Sequence, residues 1–575
     1  MKTDENGVKG NAKANSRAAM PKHLAMDRQT RKGAAIMTAS SPFTAPLAEV
    51  YDLAVIGGGI NGCGIAADAA GRGLAVFLCE QHDLAAHTSS ASSKLIHGGL
   101  RYLEHHEFRL VREALGEREV LLGMAPHLVR PMRFILPHRP HLRPAWMIRA
   151  GLFLYDHLGA RHSLPGSRHL TFGAGCPLKA EISEGFEYSD CWVDDARLVV
   201  LNAMSAREHG AHIHTRTRCI GARRSKGLWH LQLEREDGSR LSLRARSLIN
   251  AAGPWVEQVL REGLHQPSSR HMRLIQGSHI VVPRLHDGEQ AYILQNTDGR
   301  IVFVIPYLQR FSLIGTTDRE YHGDPAAVQI SDEEIDYLLE VVNAHFRKQI
   351  ERRDIVSHFA GVRPLYDDAS GNPSTITRDY HLELSDERGS PPLLSVFGGK
   401  LTTYRKLAEA ALEQLAPFLP HMGPPWTASS KLPGAEELES VSALAEALCD
   451  AHGWLASDLA RRWAGSYGTR AWQLLEDVHC LMDLGENFGA GLYAREVDYL
   501  CEEEWAQSAE DILWRRSKLG LLLGPMQQQK LVRYLQTQKT GGSEAAPVVV
   551  HGRLVPRAVP PQAGNEGASP RPLQR

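Results

Sequence analysis

The chain has 575 residues, a formal net charge of −1, 43% hydrophobic residues and 23% charged residues. This length predicts two or three domains, and the composition is that of a globular protein. The near-zero charge gives no support to nucleic-acid binding. The sequence contains no run of 18 uninterrupted apolar residues, so a transmembrane helix is not expected. The eight cysteines form no C-x-x-C pair, so we expect reduced core thiols and no metal site.

Both ends of the chain have the composition of disordered segments. Residues 1–45 are polar, small and mildly basic, and residues 538–575 are rich in Pro, Gly and Ala. We expect a disordered extension and a disordered tail, because neither has a hydrophobic period. The extension lacks the continuous apolar region of a secretory signal, so we expect a cytoplasmic protein. Met37 is an alternative start, because the ordered pattern begins shortly after it.

The most informative stretch is a glycine turn between an apolar strand and a helix of small residues. The strand is predicted over Leu53–Ile56, and Gly57, Gly59 and Gly62 follow it in the spacing G-x-G-x-x-G. In such a unit the first glycine makes the tight turn and the second lets the backbone approach a pyrophosphate. The third lets helix and strand pack closely. The N–H groups at the helix start suit phosphates. The pattern predicts a dinucleotide-binding unit.

A second strand, Leu74–Cys79, ends on Glu80. A carboxylate at this position accepts hydrogen bonds from a ribose 2′-OH and disfavours the 2′-phosphate of NADP. Two later apolar strands, Ser247–Ala251 and Leu393–Phe397, stop at small residues, as strands do where the backbone approaches a ligand. We therefore predict that the cofactor-binding domain is discontinuous in sequence.

The chain between and after these strands divides into a β-rich part and a helical part. Strands are predicted at Leu274–Val282 and Ala291–Gln295 and, as a hairpin, at Ile301–Pro306 and Phe311–Gly315. Helices separated by mostly glycine-containing breaks are predicted at Ala443–Cys449, Ser457–Ala464, Ala471–Met482, Ala494–Trp505 and Ala509–Gly520. We predict an oxidoreductase region over 46–425 and an α-helical C-terminal domain over 426–537. Within the oxidoreductase region, the cofactor-binding segments are predicted at about 50–125, 190–260 and 355–420. The substrate-domain segments are predicted at about 126–189 and 261–354.

Six further motifs follow the glycine turn in order: SSKLIHGGLRYLE at Ser92–Glu104, QGSHIVVP at Gln276–Pro283, GTTD at Gly315–Asp318, GVRPL at Gly361–Leu365, TRDY at Thr377–Tyr380 and GGKLTTYR at Gly398–Arg405. Together they resemble the FAD-dependent glycerol-3-phosphate dehydrogenases, in particular the aerobic, respiratory bacterial type, over about residues 50–535. The resemblance implies an α/β fold with a Rossmann-like FAD-binding domain of the glutathione-reductase and D-amino-acid-oxidase type. It also implies a β-rich substrate domain and an α-helical C-terminal cap.

The same resemblance implies a reaction. The substrate is sn-glycerol 3-phosphate, which is oxidised to dihydroxyacetone phosphate by hydride transfer to FAD, and the electrons pass to a membrane quinone. We expect non-covalent FAD, because no His or Cys attachment motif stands out. Two alternatives remain open from the sequence: an oxidase on the same fold that reduces O₂, and a flavin-binding sensor without turnover. A homodimer is compatible with the sequence.

A phosphate dianion needs fixed positive charge, and arginine binds phosphate oxygens in pairs. We expect Arg101, Tyr102 and Arg378 to bind substrate, although each arginine taken alone is compatible with a surface ion pair. Arg363 and Lys400 are further candidates to bind the phosphate, or they could instead stabilise the developing alkoxide.

His279 resembles the family's proposed base, and an imidazole suits proton abstraction near neutral pH. His97 is the rival base, although its glycine neighbours favour packing on the flavin. The helix predicted after the GGKLTTYR motif, Lys406–Leu415, would direct backbone N–H groups to the flavin. The further candidate FAD contacts are Ser92, Ser93, His97, Gly98, Ala252, Gly253, Gly399, Leu401 and Thr402.

The run Trp146–Tyr155 combines apolar residues and aromatics near Arg133, Arg139 and Arg149. A short amphipathic helix of this kind is typical of a segment that lies in the bilayer interface. The alternative is a core helix whose arginines face solvent. We expect peripheral association with the inner face of the cytoplasmic membrane, with this segment as the contact.

Overall fold

The computed structural model describes residues 47–139, 144–159, 162–267, 271–366, 379–386 and 389–540. The predicted disordered extension 1–45 lies outside these residues. So do the predicted substrate ligand Arg378 and nearly all of the predicted tail 538–575. The backbone of Arg101 is described, but its side chain is not.

The strands of the described residues are β1 Tyr51–Ile56, β2 Val76–Cys79, β3 Leu95–Ile96, β4 Val129–Pro137, β5 Arg168–Thr171, β6 Glu184–Val193, β7 His212–His214, β8 Thr217–Ser225, β9 Leu228–Arg235, β10 Arg240–Asn250, β11 Met272–Pro283, β12 Ala291–Gln295, β13 Ile301–Tyr307, β14 Phe311–Gly315, β15 Arg319–Glu320, β16 Ser357–Tyr366, β17 His381–Ser385, β18 Leu393–Phe397, β19 Asn487–Gly489 and β20 Leu492–Tyr493. The helices are α1 Ile60–Gly71, α2 Phe108–Met124, α3 Ala145–Leu158, α4 Asp195–Glu208, α5 Val256–Gln258, α6 Asp332–His345, α7 Tyr404–Leu415, α8 Val441–Ala451, α9 Ser457–Tyr467, α10 Ala471–Leu474, α11 Ala494–Glu503 and α12 Pro525–Thr540.

The first sheet carries the glycine turn. Its central strands run in the order β18-β10-β1-β2-β7 and are parallel to one another, with β17 antiparallel at one edge. The meander β8-β9 joins through β10. Parallel strands covered on both faces are apolar throughout, and this is why β1 and β2 read as continuous hydrophobic runs. The discontinuous cofactor sheet predicted from the sequence is confirmed: β1, β2, β10 and β18 lie side by side.

Helix α1 follows the glycine turn and packs against both α4 and α7. Because it is covered on two sides, nearly every residue of α1 is buried, and small residues are required. A β-carbon at Gly64 would lie 2.5 Å from the ring of Tyr404 on α7. The alanine- and glycine-rich composition of α1 is therefore the packing solution for a helix between two others.

The second sheet has the order β15-β11-β14-β13-β12-β4-β6-β3, with β16 paired to β11 and β5 paired to β6. The predicted hairpin is present as β13 and β14, which pair antiparallel. One predicted boundary differs from the structure. The sequence predicts that all of 355–420 belongs to the cofactor domain. β16 instead pairs with β11 along its whole length, from Ser357 opposite Val281 to Tyr366 opposite Met272. The long β11 offers two open edges, and β16 fills one of them.

The C-terminal part has its own hydrophobic core, formed by α8, α9, α11, α12 and the turns between them. The predicted helix 471–482 is wrong beyond α10, because the chain leaves the helix after Leu474 and Asp477 has a φ of 60°. The predicted helix 509–520 is a π-helical turn, Asp511–Arg516, that ends before Lys518 at a φ of 57°. Both segments still bury apolar side chains, which is why their sequence has a helical period.

Candidate active site

The glycine turn leaves no room for β-carbons. Gly57 has a φ of +115°, and a β-carbon there would lie 2.4 Å from the carbonyl oxygen of Ala251. A β-carbon at Gly62 would lie 2.0 Å from the carbonyl oxygen of Gly57. Gly59 immediately precedes α1. This is the cradle of a dinucleotide site, in which the backbone and a helix N-terminus approach the ligand directly.

Glu80 stands at the end of β2, and both of its carboxylate oxygens accept backbone hydrogen bonds. One oxygen accepts the N–H of Gly58 at 2.7 Å, and the other accepts the N–H of His82 at 2.7 Å. Burial raises the pKa of Glu80, and the Gly58 N–H opposes this shift. The carboxylate thus fixes the glycine turn to β2 while it lines the adjoining cavity.

Two cavities lie along the glycine turn. The first, of about 700 Å³, is lined by Gly57, Glu80, Ala252 and the loop after β2. The second, of about 350 Å³, lies toward the second sheet. The lining residues common to both are Gly59, Thr88, Ser89, Ala251, Gly253 and Pro254. The two cavities therefore adjoin along the glycine turn, so a dinucleotide bound there would place its nucleotide half at the turn and its reactive half in the second cavity.

The second cavity brings together several predicted residues from distant parts of the sequence. Its walls include Ser92, Ser93, His97, Tyr102, Arg363, Gly399, Lys400, Leu401 and Thr402. The cations stand against polar and aromatic groups. Arg363 donates to Thr316 Oγ1 at 2.6 Å and forms an ion pair with Asp318. The Nζ of Lys400 lies 3.9 Å from the ring centroid of Tyr102.

Glycines shape the approach to this cavity from β18. Gly398 and Gly399 have φ values of +79° and +98°, and the turn Leu401–Thr403 then leads into α7. The hydroxyl of Thr402 accepts the N–H of His97 at 3.4 Å. The N-terminal end of the α7 segment thus faces the cavity, in keeping with the predicted role of its N–H groups.

His279 lies behind the cavity wall rather than in it. The ring is 1% exposed, stacks on Phe359 at 4.8 Å and places Nε2 2.9 Å from the hydroxyl oxygen of Ser93. Burial lowers the pKa of His279 well below its ordinary value, and the charges of Arg363 and Lys94 lower it further. Ser93, which lines the cavity, is the group through which His279 meets the site.

Two predicted cofactor contacts, Ser92 in the wall of the second cavity and Gly98 outside both cavities, also form hydrogen bonds with distant parts of the chain. The hydroxyl of Ser92 donates to Asp195 at 2.7 Å, beside the buried ion pair of Asp195 with Lys94. The N–H of Gly98 donates to the hydroxyl of Tyr155 at 2.8 Å, and Gly98 lines neither cavity described above. These contacts hold the loop from the Ser92–Glu104 motif in place, and neither partner is adjacent in sequence.

The side chains of the Gly315–Asp318 motif had no predicted role. The structure places Thr316 and Asp318 at the Arg363 guanidinium, and both line the second cavity. A run of hydroxyl and carboxyl residues directly after a buried strand was the available signal. No group of three or more His, Cys, Asp or Glu side chains within the described ranges is arranged to hold a metal ion.

Comparisons with known proteins agree with this geometry. The family model described as "FAD dependent oxidoreductase" matches residues 52–405, and the "C-terminal domain of alpha-glycerophosphate oxidase" matches residues 426–536. A glycerol-3-phosphate dehydrogenase of Pseudomonas aeruginosa is 72% identical over 495 residues, covering 86% of this chain and 97% of the relative. The aerobic glycerol-3-phosphate dehydrogenase of Escherichia coli K12 is 59% identical over 488 residues, covering 85% and 97%. This chain belongs to the FAD-dependent glycerol-3-phosphate dehydrogenase family.

The fold agrees with this family. The solved glycerol-3-phosphate dehydrogenase of Bacillus halodurans, complexed with FAD, superposes with a TM-score of 0.66 at 25% identity, covering 88% of this chain and 98% of that one. The predicted family, fold class and FAD cofactor are confirmed. FAD fits the residues present, because the β-carbon-free turn, Glu80 and the two adjoining cavities provide a nucleotide site next to a reactive site.

Proposed function

We propose that this chain oxidises sn-glycerol 3-phosphate to dihydroxyacetone phosphate and passes the electrons to a membrane quinone. The observation that carries the proposal is the second cavity, where Arg363, Lys400 and the Ser93–His279 pair converge. Bound FAD supplies the acceptor for the hydride that leaves the secondary carbinol carbon. Family membership supports the reaction, and the cavity supports the assignment of roles to residues.

Lys400 and Arg363 supply the charge that the substrate needs. Lys400, together with Tyr102 and the predicted ligands Arg101 and Arg378, binds the phosphate dianion. We assign Arg363 to the carbinol oxygen. Its guanidinium is already held by Thr316 and Asp318, so it can stabilise negative charge on that oxygen without reorganising. The hydroxyl proton passes to Ser93 Oγ, whose hydrogen bond to His279 Nε2 provides the accepting nitrogen.

An anaerobic titration tests the proposal. The purified holoprotein should lose its oxidised-flavin absorption on addition of sn-glycerol 3-phosphate, but not on addition of glycerol or inorganic phosphate. An unchanged spectrum would overturn the assigned substrate and favour the non-catalytic sensor. Under air, a quinone-linked enzyme should reduce a soluble quinone analogue and release little peroxide. Stoichiometric peroxide would instead establish the alternative oxidase.

The environment of His279 predicts an unusual pH profile. Because its folded pKa lies well below the ordinary value, the imidazole is neutral through the range where histidines titrate. The rate of flavin reduction at saturating substrate should therefore show no acid limb near about pH 6.5. The sign for stability follows from linkage. As pH falls below about 6.5, the unfolded chain binds the proton first, so this site's contribution to stability is lost on acidification.

A stopped-flow series across pH checks the profile, with His279→Gln as the comparison. An acid limb with a midpoint near about 6.5 that disappears in His279→Gln would contradict the buried, neutral histidine. We expect the wild-type rate to show no acid limb near this pH, and we expect His279→Gln to be slower than the wild type at every pH.

Membrane contact is proposed for the outer face of α3. Trp146 is 69% exposed and Phe153 is 62% exposed, with Met147 and Leu154 also exposed on the same helix. The inner face is buried and includes Leu152, so only part of the predicted run Trp146–Tyr155 faces outward. None of the helices in the described part of the chain is long and apolar enough to cross a bilayer. The exposed stripe supports a helix that lies in the interface.

The membrane proposal predicts a loss of vesicle binding. The double variant Trp146→Gln, Phe153→Gln should sediment at least about 10-fold less with anionic phospholipid vesicles, because each ring loses its apolar burial in the lipid. Met482→Gln is the matched control, since Met482 is 87% exposed on the C-terminal part. Equal binding by wild type and double variant, with equal flavin content, would show that α3 is not the contact.

A further inference from the structure

Glu334, in the first turn of α6, is a buried carboxylate for which the sequence predicted no role. It accepts four hydrogen bonds. Oε1 receives the hydroxyls of Ser278 at 2.9 Å and Thr317 at 2.5 Å, and Oε2 receives Gln276 Nε2 at 2.7 Å and the N–H of Ser331 at 3.0 Å. Four acceptor sites are what a carboxylate provides, so its capacity is filled.

Only the Ser331 contact belongs to ordinary helix capping. Ser331 and Glu334 form a reciprocal capping box at the start of α6. The other three donors come from β11 and from the turn after β14. A helix cap does not need them. Without Glu334, the buried hydroxyls of Ser278 and Thr317 would lose their acceptor, and Gln276 Nε2 would lose one of its acceptors.

The residues held by Glu334 alternate with residues that hold Arg363. Thr317 stands between Thr316 and Asp318, and both of these bind the Arg363 guanidinium. The hydroxyl of Thr317 also accepts the N–H of Ser278 at 3.0 Å, so its own proton is directed to Glu334. The Glu334 carboxylate therefore fixes the turn Thr316–Asp318 on one side, and the same turn binds the Arg363 guanidinium on the other.

The same alternation occurs along β11. Gln276 and Ser278 project toward Glu334, whereas Gly277 and His279 project to the opposite face, as neighbours in a strand must. A β-carbon at Gly277 would lie 2.4 Å from Arg363 Nη2, so the guanidinium rests against this backbone. His279 is the next residue on the Arg363 side of the strand. Glu334 therefore fixes, from one point, the strand behind both groups.

We propose that Glu334 is a positioning residue that sets the geometry of Arg363 and His279 through Ser278 and Thr317. The inference rests on the proposed function, because it assigns Arg363 to the carbinol oxygen. If the proposal is correct, displacing the turn Thr316–Asp318 slows hydride removal from the substrate. FAD stays bound, because Glu334 lines neither cavity.

The test is the isosteric variant Glu334→Gln in the holoprotein. One oxygen becomes an amide nitrogen, which cannot accept from either pair of donors. The limiting rate of anaerobic flavin reduction by sn-glycerol 3-phosphate should fall roughly 10- to 100-fold, as expected when a catalytic group is displaced by about 1 Å. The apparent dissociation constant for substrate, from the same titration, should change less than about threefold, because the phosphate ligands are untouched.

Two further variants separate positioning from folding. Ser331→Ala removes the other half of the capping box and leaves Ser278 and Thr317 bonded to Glu334. It should lower the thermal midpoint and leave the limiting rate within about twofold of the wild type. Thr317→Val removes the bridging hydroxyl with little change of volume and should slow the reaction as Glu334→Gln does. This variant carries the test if Glu334→Gln does not fold.

The outcomes are distinct from those for the proposed function. If the wild type is not reduced by sn-glycerol 3-phosphate, the function is wrong and the inference falls with it. If the wild type reacts, and Glu334→Gln and Thr317→Val retain its limiting rate, Glu334 is structural only. A fall in Ser331→Ala equal to that in Glu334→Gln would assign the effect to the α6 cap and would also overturn the proposal.

Discussion

Replacing Arg363 with lysine is expected to slow flavin reduction by sn-glycerol 3-phosphate roughly 10²- to 10³-fold. The guanidinium fork bonds Thr316 and Asp318 at once while it faces the second cavity. A single ammonium group keeps the charge but not this two-pronged geometry, so it is not fixed before the reaction begins. Flavin content should be unchanged, because Arg363 does not line the first cavity. Stopped-flow absorbance under anaerobic conditions measures the rate.

Arg352→Lys is the matched control for this prediction. Arg352 also bonds two acidic side chains, Asp332 and Asp336, but its side chain is 46% exposed and lies away from the cavity. Exposed ion pairs contribute little, so its rate and stability should stay close to the wild type. A rate for Arg363→Lys within about threefold of Arg352→Lys would contradict the electrostatic role of Arg363.

The isosteric change Asp83→Asn is expected to cost about 3–5 kcal/mol of unfolding free energy. Asp83 is 2% exposed and accepts Arg515 Nε at 2.6 Å and both terminal nitrogens of Arg516 at 2.8 Å. The amide removes the negative charge that the two buried guanidinium groups share, although Arg515 keeps its ion pair with Asp511 and Arg516 lies 3.8 Å from the Glu504 carboxylate. Asp83 lies three residues beyond Glu80, in the loop that lines the first cavity, so the variant should also release FAD faster.

Glu503→Gln provides the comparison for Asp83→Asn. Glu503 pairs with Arg207 at 2.7 Å across the same two parts of the chain, but its side chain is 46% exposed. This acid-to-amide change should cost less than about 1 kcal/mol. Thermal unfolding with and without added FAD, followed by flavin fluorescence, reports both effects. Equal midpoints and equal FAD release in the two variants would show that burial of the Asp83 cluster contributes nothing.

The dinucleotide unit was predictable because its signals are local. The turn at Gly57, the helix after it and Glu80 follow one another within about one supersecondary unit, so spacing alone carries the information. The presence of β1, β10 and β18 in one sheet was also accessible, since each strand is apolar and stops at small residues. Family resemblance supplied the reaction and pointed to Arg363, Lys400 and His279.

The partners of the site residues were not predictable, because they come from distant segments. Nothing near Ser92 or Gly98 indicates that Asp195 and Tyr155 take their hydrogen bonds. The burial of His279 behind Ser93 depends on the pairing of β11 with two other strands. The sequence predicted no role for Glu334, and only the tertiary structure shows its contacts with β11.

The ionic cluster at Asp83 has a consequence for how the protein matures. Arg516 is 433 positions further along the chain than Asp83. At synthesis rates of about 5–20 residues per second, roughly 20–90 s separate the two residues at the ribosome. During that interval the loop after β2 carries an acid whose partners do not yet exist. We therefore expect firm retention of the flavin only after the C-terminal part of the nascent chain has emerged and docked.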